Sequence, residues 1–284
     1  MKITTWNTEG RLSRFASAGE RGSPDLVVDA IKQLDSDIVF LPEAFDGAKK
    51  IEPGILDQLK ELGYIAIEVS YDERHDRQFQ AVVDPHMLFL SKFEVSYHQE
   101  YRLGDIRSML MADVIDPTTN QTIRFFGVHL DDRNEENRLR QLDDLVPLIN
   151  GSGVPIVVLG DFNAMHASSV PARFFRNRLT RRVIDLLPHD EMKYILQRLS
   201  QMAIGDTLQK VEDMTQLVDA DTKKRPTTTP KMRGLEWMPS IRMAQIDHIF
   251  VSSDAEVSNF SVAQDGGSDH RAISVDVAST GQKR

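Results

Sequence analysis

Short apolar runs that each end in a polar residue recur along the chain and set its expected layout. Lys2 to Asn7 reads as a strand ending at Asn7, with a Gly10/Arg11 loop behind it. Ser23-Pro24-Asp25 is a helix start, with Ser as the cap, Pro in the first turn and an acid next. Leu26, Val27, Ala30, Ile31 and Leu34 then recur at helical spacing as one apolar face, up to Asp35-Ser36-Asp37. Ile38-Val39-Phe40-Leu41 comes next as a buried strand ending in Pro42-Glu43. The alternation continues with a helix over 55–62, stopped by Gly63, and a strand over 64–69.

Further on, Met87 to Phe93, Met109 to Ile115 and Ile123 to Leu130 are strand-like and separated by turns, with Asp116 to Asn120 as a hairpin connection. Asn134 to Ile149 returns to helix, its expected buried stripe being Leu139, Leu142, Val146 and Ile149. Ile156 to Leu159 is uninterrupted and branched, which suits a strand buried on both faces. It ends in Gly160-Asp161-Phe162-Asn163. Gly160 is expected to let the backbone leave the strand at a tight angle, with Asp161 and Asn163 on one side of it. Ile246 to Val251, Val257 to Val262 and Ala272 to Val277 close the pattern as strands. Helices outside and hairpins inside predict two packed sheets with helical layers.

Residues 164–240 break this rhythm. They contain expected helices near Pro171–Leu187, Asp190–Ala203 and Asp206–Val218, then a polar loop through Thr229-Pro230. Met192, Ile195, Leu196, Leu199 and Met202 form an apolar stripe that reads as core packing. The whole segment reads as a helical insertion over the sheet end. Arg173, Arg176, Arg178, Arg181 and Arg182 crowd its first helix, whose expected apolar face is Phe174, Phe175, Leu179 and Val183. Balancing nearby acids is the plain role for these arginines; walling a polyanionic substrate is the functional one.

Composition narrows the classes. The 284 residues contain no Pro/Gly/Ser-rich linker and no fixed-period repeat, so one domain over 1–284 is expected. A formal charge of -9 gives no global field to draw the chain onto long nucleic acid. There is no cysteine, which rules out disulfides and thiolate metal sites. With no signal-like start and no apolar run of membrane-spanning length, a cytoplasmic protein without a membrane segment is expected. Oligomeric state is not readable.

The polar strand ends carry the candidate chemistry: Asn7, Glu43, His129, Asp161 with Asn163, Asp247 with His248, and Asp269 with His270. Carboxylates and an amide are the hard donors that suit Mg²⁺ or Mn²⁺, and histidines beside them can hold phosphate oxygens or move protons. Taken singly, each has a plainer reading as a loop acid, a turn former or a core histidine. Their order along the chain changes that.

Trp6-Asn7-x-x-Gly10, Leu41-Pro42-Glu43, His129-Leu130 followed by Arg138-x-x-Gln141, Gly160-Asp161-Phe162-Asn163, Ile246-Asp247-His248-Ile249 and Ser268-Asp269-His270 together resemble the endonuclease/exonuclease/phosphatase superfamily. The resemblance spans nearly the whole chain and implies a four-layer α/β/β/α sandwich of the DNase I-like kind. It implies Asn7, Glu43 and Asp269 as metal ligands and Asp161 as the acid that orients or deprotonates water. By the same resemblance Asn163 holds phosphate, Asp247 fixes the tautomer of a phosphate-facing His270, and His129 is a phosphate contact or proton donor. Abasic-site repair members carry Tyr-x-Pro-Asn where this chain has Val128-His129-Leu130. The His-Leu then Arg-x-x-Gln arrangement, with Arg107 on a strand, is more similar to the DNase I-like and sphingomyelinase-like branches. The resemblance thus implies a metal-dependent phosphodiesterase of nuclease type, acting on a phosphate ester such as nucleic acid or a nucleotide. A phosphomonoesterase or lipid-headgroup phosphodiesterase is the enzymatic alternative, and an inactive phosphate-binding module the other. A lipid substrate would call for an exposed apolar edge or a membrane segment, and neither is evident in the sequence.

Overall fold

A computed structural model describes residues 1–12, 24–45, 51, 54–69, 86–104, 107–188, 191–228, 244–263 and 268–278, with side chains omitted at 191 and 192. Ser23 and most of the polar Pro/Thr loop lie outside these. The first sheet runs in the order β11-β12-β1-β2-β4-β3. Its strands are β1 (Lys2–Thr5), β2 (Ile38–Phe45), β3 (Ile65–Val69), β4 (His86–Ser91), β11 (Glu256–Val262) and β12 (Ile273–Ala278). The second runs β5-β6-β7-β8-β10-β9. It comprises β5 (Val95–Leu103), β6 (Arg107–Ile115), β7 (Thr122–His129), β8 (Ile156–Asp161), β9 (Leu217–Asp219) and β10 (Asp247–Ser252).

Strand alternation sorts the apolar residues onto two faces of each sheet. Phe40, Phe89, Phe125, Leu159, Ile249 and Val275 face inward and form the core between the sheets. Each such buried side chain contributes roughly 1.5–3 kcal/mol. At the centre Phe40 lies on Gly127, where any Cβ would come within 2.4 Å of the ring. Outside the first sheet lie α1 (Pro24–Leu34) and α2 (Ile55–Glu61), whose Val27, Ile31 and Leu59 pack on Val39, Leu41 and Leu88. Outside the second lie α3 (Glu135–Asn150) and α7 (Thr207–Thr215), whose Leu142, Leu145, Leu208 and Val211 pack on Phe126, Val158 and Phe250. The result is the expected α/β/β/α sandwich. Between α3 and α7 come α4 (Val170–Arg176), α5 (Arg178–Leu186) and α6 (Glu191–Ile204), which form a smaller core of their own with Met165 and Ile246. Among the described residues no helix is long and apolar enough to cross a membrane.

Several expectations are corrected. β5 is absent from the expected elements because it is an edge strand whose side chains are largely exposed, leaving no apolar signal. The helix expected over 171–187 breaks at Asn177, whose backbone is extended and whose side chain caps α5 through Leu179 N–H at 2.8 Å. The last expected helix stops at Thr215, Gln216 turns with a φ of 57, and the chain enters β9. The segment 164–240 is therefore only partly an insertion, since α7 and β9 belong to the sandwich. In α3 the buried surface includes Arg138 and Gln141, while Leu139 is only half-buried.

Gly160 does not end its strand; β8 runs through it to Asp161. Its φ is +142, and a Cβ there would sit 1.9 Å from the Val128 carbonyl oxygen on β7. The glycine lets two parallel strands approach beside Asp161. Gly160→Ala is expected to cost about 3 kcal/mol or more, read as a drop in the midpoint of chemical denaturation. A change below about 1 kcal/mol would show that the strands can part there at little cost.

Candidate active site

The inward rows of both sheets end in polar residues at the same end of the sandwich. On the second sheet His129, Asp161 and Asp247 stand side by side, because β7 pairs His129 with Asp161 and β10 pairs Asp247 with Asp161. These residues continue the inward faces of Phe125, Leu159 and Ile249, so all three point between the sheets. On the first sheet Asn7 continues the inward row of Ile3, and Glu43 sits in an irregular stretch of β2 between Leu41 and Phe45. Asp269 and His270 lie just before β12. Together they surround a cavity of about 240 Å³, lined by Asn7, Glu43, His129, Asp161, Asn163, Asp269 and His270.

Two of these residues hold costly backbone. Glu43 has a φ of 50 and Asn163 a φ of 49, a left-handed conformation that ordinary side chains seldom adopt. Asn163 uses its backbone N–H to donate to Asp161 at 2.9 Å, and its amide nitrogen donates to the Leu130 carbonyl at 3.0 Å. The Asn7 amide nitrogen donates to both Glu43 (3.1 Å) and Asp161 (3.0 Å), while its oxygen accepts from Glu9 N–H at 3.1 Å. In this orientation Asn7 positions two carboxylates, and direct ligation through its oxygen would need the amide turned over.

Asp161 is buried and lies between the two histidines, 3.9 Å from His129 Nε2 and 3.8 Å from His270 Nε2. Burial, with the Asp247 charge, pushes its carboxyl up to about 7 against the pull of His270 and its hydrogen bonds. Asp247 accepts from His270 Nδ1 at 2.9 Å and from the Thr227 hydroxyl at 2.7 Å. Burial acts to lower His270, yet the carboxylates of Asp247, Asp269 and Asp161 raise it well above the usual histidine range. His129 goes the other way, lowered well below that range by burial and by Arg107 and His270. Its Nδ1 faces Arg107 at 3.4 Å and its Nε2 faces Glu43 at 3.4 Å. One imidazole is thus pushed toward its charged form and the other toward its neutral form.

Not every expected residue enters the cavity. His248 neighbours Asp247 but points to the opposite side of β10, where its ring bonds Asp219 (2.9 Å) and the Ala164 carbonyl (3.1 Å). Arg138 and Gln141 are buried supports: Arg138 donates to the Asp131 carbonyl (2.9 Å), and Gln141 accepts from Asp131 N–H (2.9 Å). They hold the turn after His129. Of the five crowded arginines none lines the cavity, and Arg176 is tied to the Ala203 and Gly205 carbonyls at 2.6 Å each. The wall is instead α6, through Ile195, Arg198, Leu199 and Met202. Arg198 pairs with Asp132 at 2.6 Å, and Asp132 also accepts from Arg107. Arg198, Asp132 and Thr227 carry no signal in the sequence, because only tertiary packing brings them here. Part of the expected core stripe on α6 proves to be a cavity wall.

The donor set fits a hard divalent cation. Glu43 and Asp269 offer carboxylates that reach solvent, and Glu9, Asp132 and Asp161 line the same space. Burial and the adjacent Glu9 and Glu43 charges push Asp269 up to about 6, although His270 opposes them. A carboxyl raised by its acidic neighbours in this way marks a place short of positive charge. The ligand atoms of Asp161, Asp247 and His270 also lie within 4.8 Å of one another.

A family model for the endonuclease/exonuclease/phosphatase family matches residues 4–270. No curated protein matches the chain. Among solved structures, an endonuclease/exonuclease/phosphatase from Beutenbergia cavernae superposes with a TM-score of 0.62 at 18% identity, over 98% of this chain and 71% of that one. The human Nocturnin catalytic domain with bound sulfate gives 0.62 at 17% identity, over 99% and 94%. A mannosyl-6-phosphatase from Bacteroides thetaiotaomicron gives 0.59 at 17% identity, over 98% and 99%. At such identities the likeness shows a shared fold. With the family match over nearly its whole length, the chain belongs to the endonuclease/exonuclease/phosphatase family, whose members hydrolyse phosphate esters.

Proposed function

We propose that this chain is a divalent-metal-dependent phosphodiesterase of the nuclease type. The observation that carries this reading is a buried acid, Asp161, set within 3.9 Å of His129 and 3.8 Å of His270 in a cavity rich in carboxylates. Glu43 and Asp269, with Asn7 beside them, are the residues to hold Mg²⁺ or Mn²⁺. When bound, the cation neutralises charge on the phosphate and on the leaving oxygen. Asp161, fixed by Asn7 and the Asn163 N–H, orients the attacking water and takes its proton as the new P–O bond forms and the bond to the leaving oxygen breaks. His270, held in one tautomer by Asp247, donates through Nε2 to a phosphate oxygen. His129, kept neutral, presents a second N–H from Nε2. Asn163 completes the phosphate cradle.

The excess of acids also favours one ester class. Glu9, Glu43, Asp132, Asp161 and Asp269 face Arg198 and the two histidines, so a singly charged diester is accommodated at less electrostatic cost than a doubly charged monoester. Bis(4-nitrophenyl) phosphate is expected to turn over with Mg²⁺ or Mn²⁺ and to stop on adding EDTA, with 4-nitrophenyl phosphate much slower. Glu43→Gln is expected to raise the metal concentration for half-maximal rate by about tenfold or more. Faster turnover of the monoester would make the chain a phosphatase. Phosphate binding with no turnover of either ester would make it a binding module.

A further inference from the structure

Helices α4 and α5 present an unusual outer surface. Val170, Phe174, Leu179, Val183 and Leu186 are 72, 58, 70, 53 and 84% exposed. Only Ala172, Phe175 and Ile184 of these helices are buried. The apolar face expected from the sequence is therefore largely turned to solvent. On α5 the exposed residues follow i, i+4, i+7 spacing and make one stripe, Leu179-Val183-Leu186. Arg178 and Arg182 run along its edge, and on α4 Arg173 lies one turn on from Val170. Among the described residues none of Arg173, Arg178, Arg181 and Arg182 pairs with a carboxylate, in a chain whose formal charge is -9.

We propose that the α4–α5 face is a docking surface for an anionic lipid bilayer. An interfacial helix needs an apolar stripe to enter the acyl boundary and cationic residues beside it to meet the headgroups. Arginine suits the second task, because its stem lies along apolar surface while the guanidinium reaches outward. A nucleic acid would use the arginines but leave Leu179, Val183 and Leu186 in water. A second copy docking face to face would bring arginines against arginines, since Asp185 is the only acid of α5. Charge complementarity therefore selects an anionic lipid surface. The position also has a use, because α4 and α5 pack on α6, and α6 lines the catalytic cavity. The inference is independent of which ester is hydrolysed.

The test is flotation of the full chain with vesicles of phosphatidylcholine alone, or mixed with phosphatidylglycerol. Binding to the mixed vesicles and not to phosphatidylcholine alone is expected, weakened by added salt. Replacing Arg173, Arg178 and Arg182 with Gln is expected to weaken that binding by roughly fivefold per arginine. Replacing Leu179, Val183 and Leu186 with Gln is expected to weaken it at least about tenfold at any lipid charge. These positions are exposed, so both variants should melt within about 2 °C of the parent. No flotation with anionic vesicles, or flotation unaltered in both variants, overturns the proposal. So does concentration-dependent self-association that the Leu/Val variant abolishes, since a second copy would then cover the face.

Discussion

Asp161→Asn is expected to lower kcat/KM on a diester by about a thousandfold, the largest single loss in the site. An amide in that place still accepts from Asn7 and keeps its shape, but it cannot take a proton from water. Asp161 is fixed by the Asn7 amide, the Asn163 backbone N–H and the paired backbones of β7 and β10. The substitution therefore removes charge and basicity without releasing the geometry. It also removes a carboxylate from a buried position, so thermal stability of the metal-free chain should stay level or rise. A steady-state assay beside a melt in EDTA separates the two. A loss of less than about tenfold would mean that another group activates the water.

Asp247→Asn and His270→Ala are expected to be nearly as damaging alone and no worse together. Both Asp247 oxygens lie within 3.1 Å of His270 Nδ1, and the Thr227 hydroxyl donates to the same carboxylate. An asparagine brings no charge to hold the ring protonated, and if it offers its nitrogen to Nδ1 that atom must accept, so Nε2 donates from a neutral ring and holds phosphate more weakly. Each single change should cost roughly a hundredfold in kcat. Once His270 is gone, Asp247 has no ring left to orient, so the double variant should match the worse single one. If the two factors multiply, the residues act separately and the pairing has no catalytic meaning.

Whether an element is legible in the sequence depends on where its signal resides. β2, β8, β10 and β12 lie inside the sheets, so burial on both faces imposes the aliphatic runs that expose them in the sequence. Asn7, Glu43, His129, Asp161, Asp247 and His270 are legible for the same reason, each being the polar stop of such a run or lying just before one. β5 carries no such mark because an edge strand answers mostly to water. The break at Asn177 is hidden because an Arg-rich stretch has good helix propensity on either side of it, and the cap shows only as one side-chain bond. Arg198 and Asp132 belong to helix and loop segments far apart in sequence, and nothing local says they meet at the cavity. Phe174, Leu179 and Val183 mislead for a plainer cause: amphipathic spacing reveals a stripe but not which side of it meets protein.

The excursion that carries α4, α5 and α6 is closed at its base, where the Met165 N–H donates to the Met202 carbonyl at 2.9 Å. Its two ends already touch, so its length costs the fold little in chain entropy. The row of His129, Asp161 and Asp247 is fixed elsewhere, by the pairing of β7, β8 and β10. The row and the helices above it therefore rest on separate supports, so shortening or replacing those helices should leave the alignment of His129, Asp161 and Asp247 as it is.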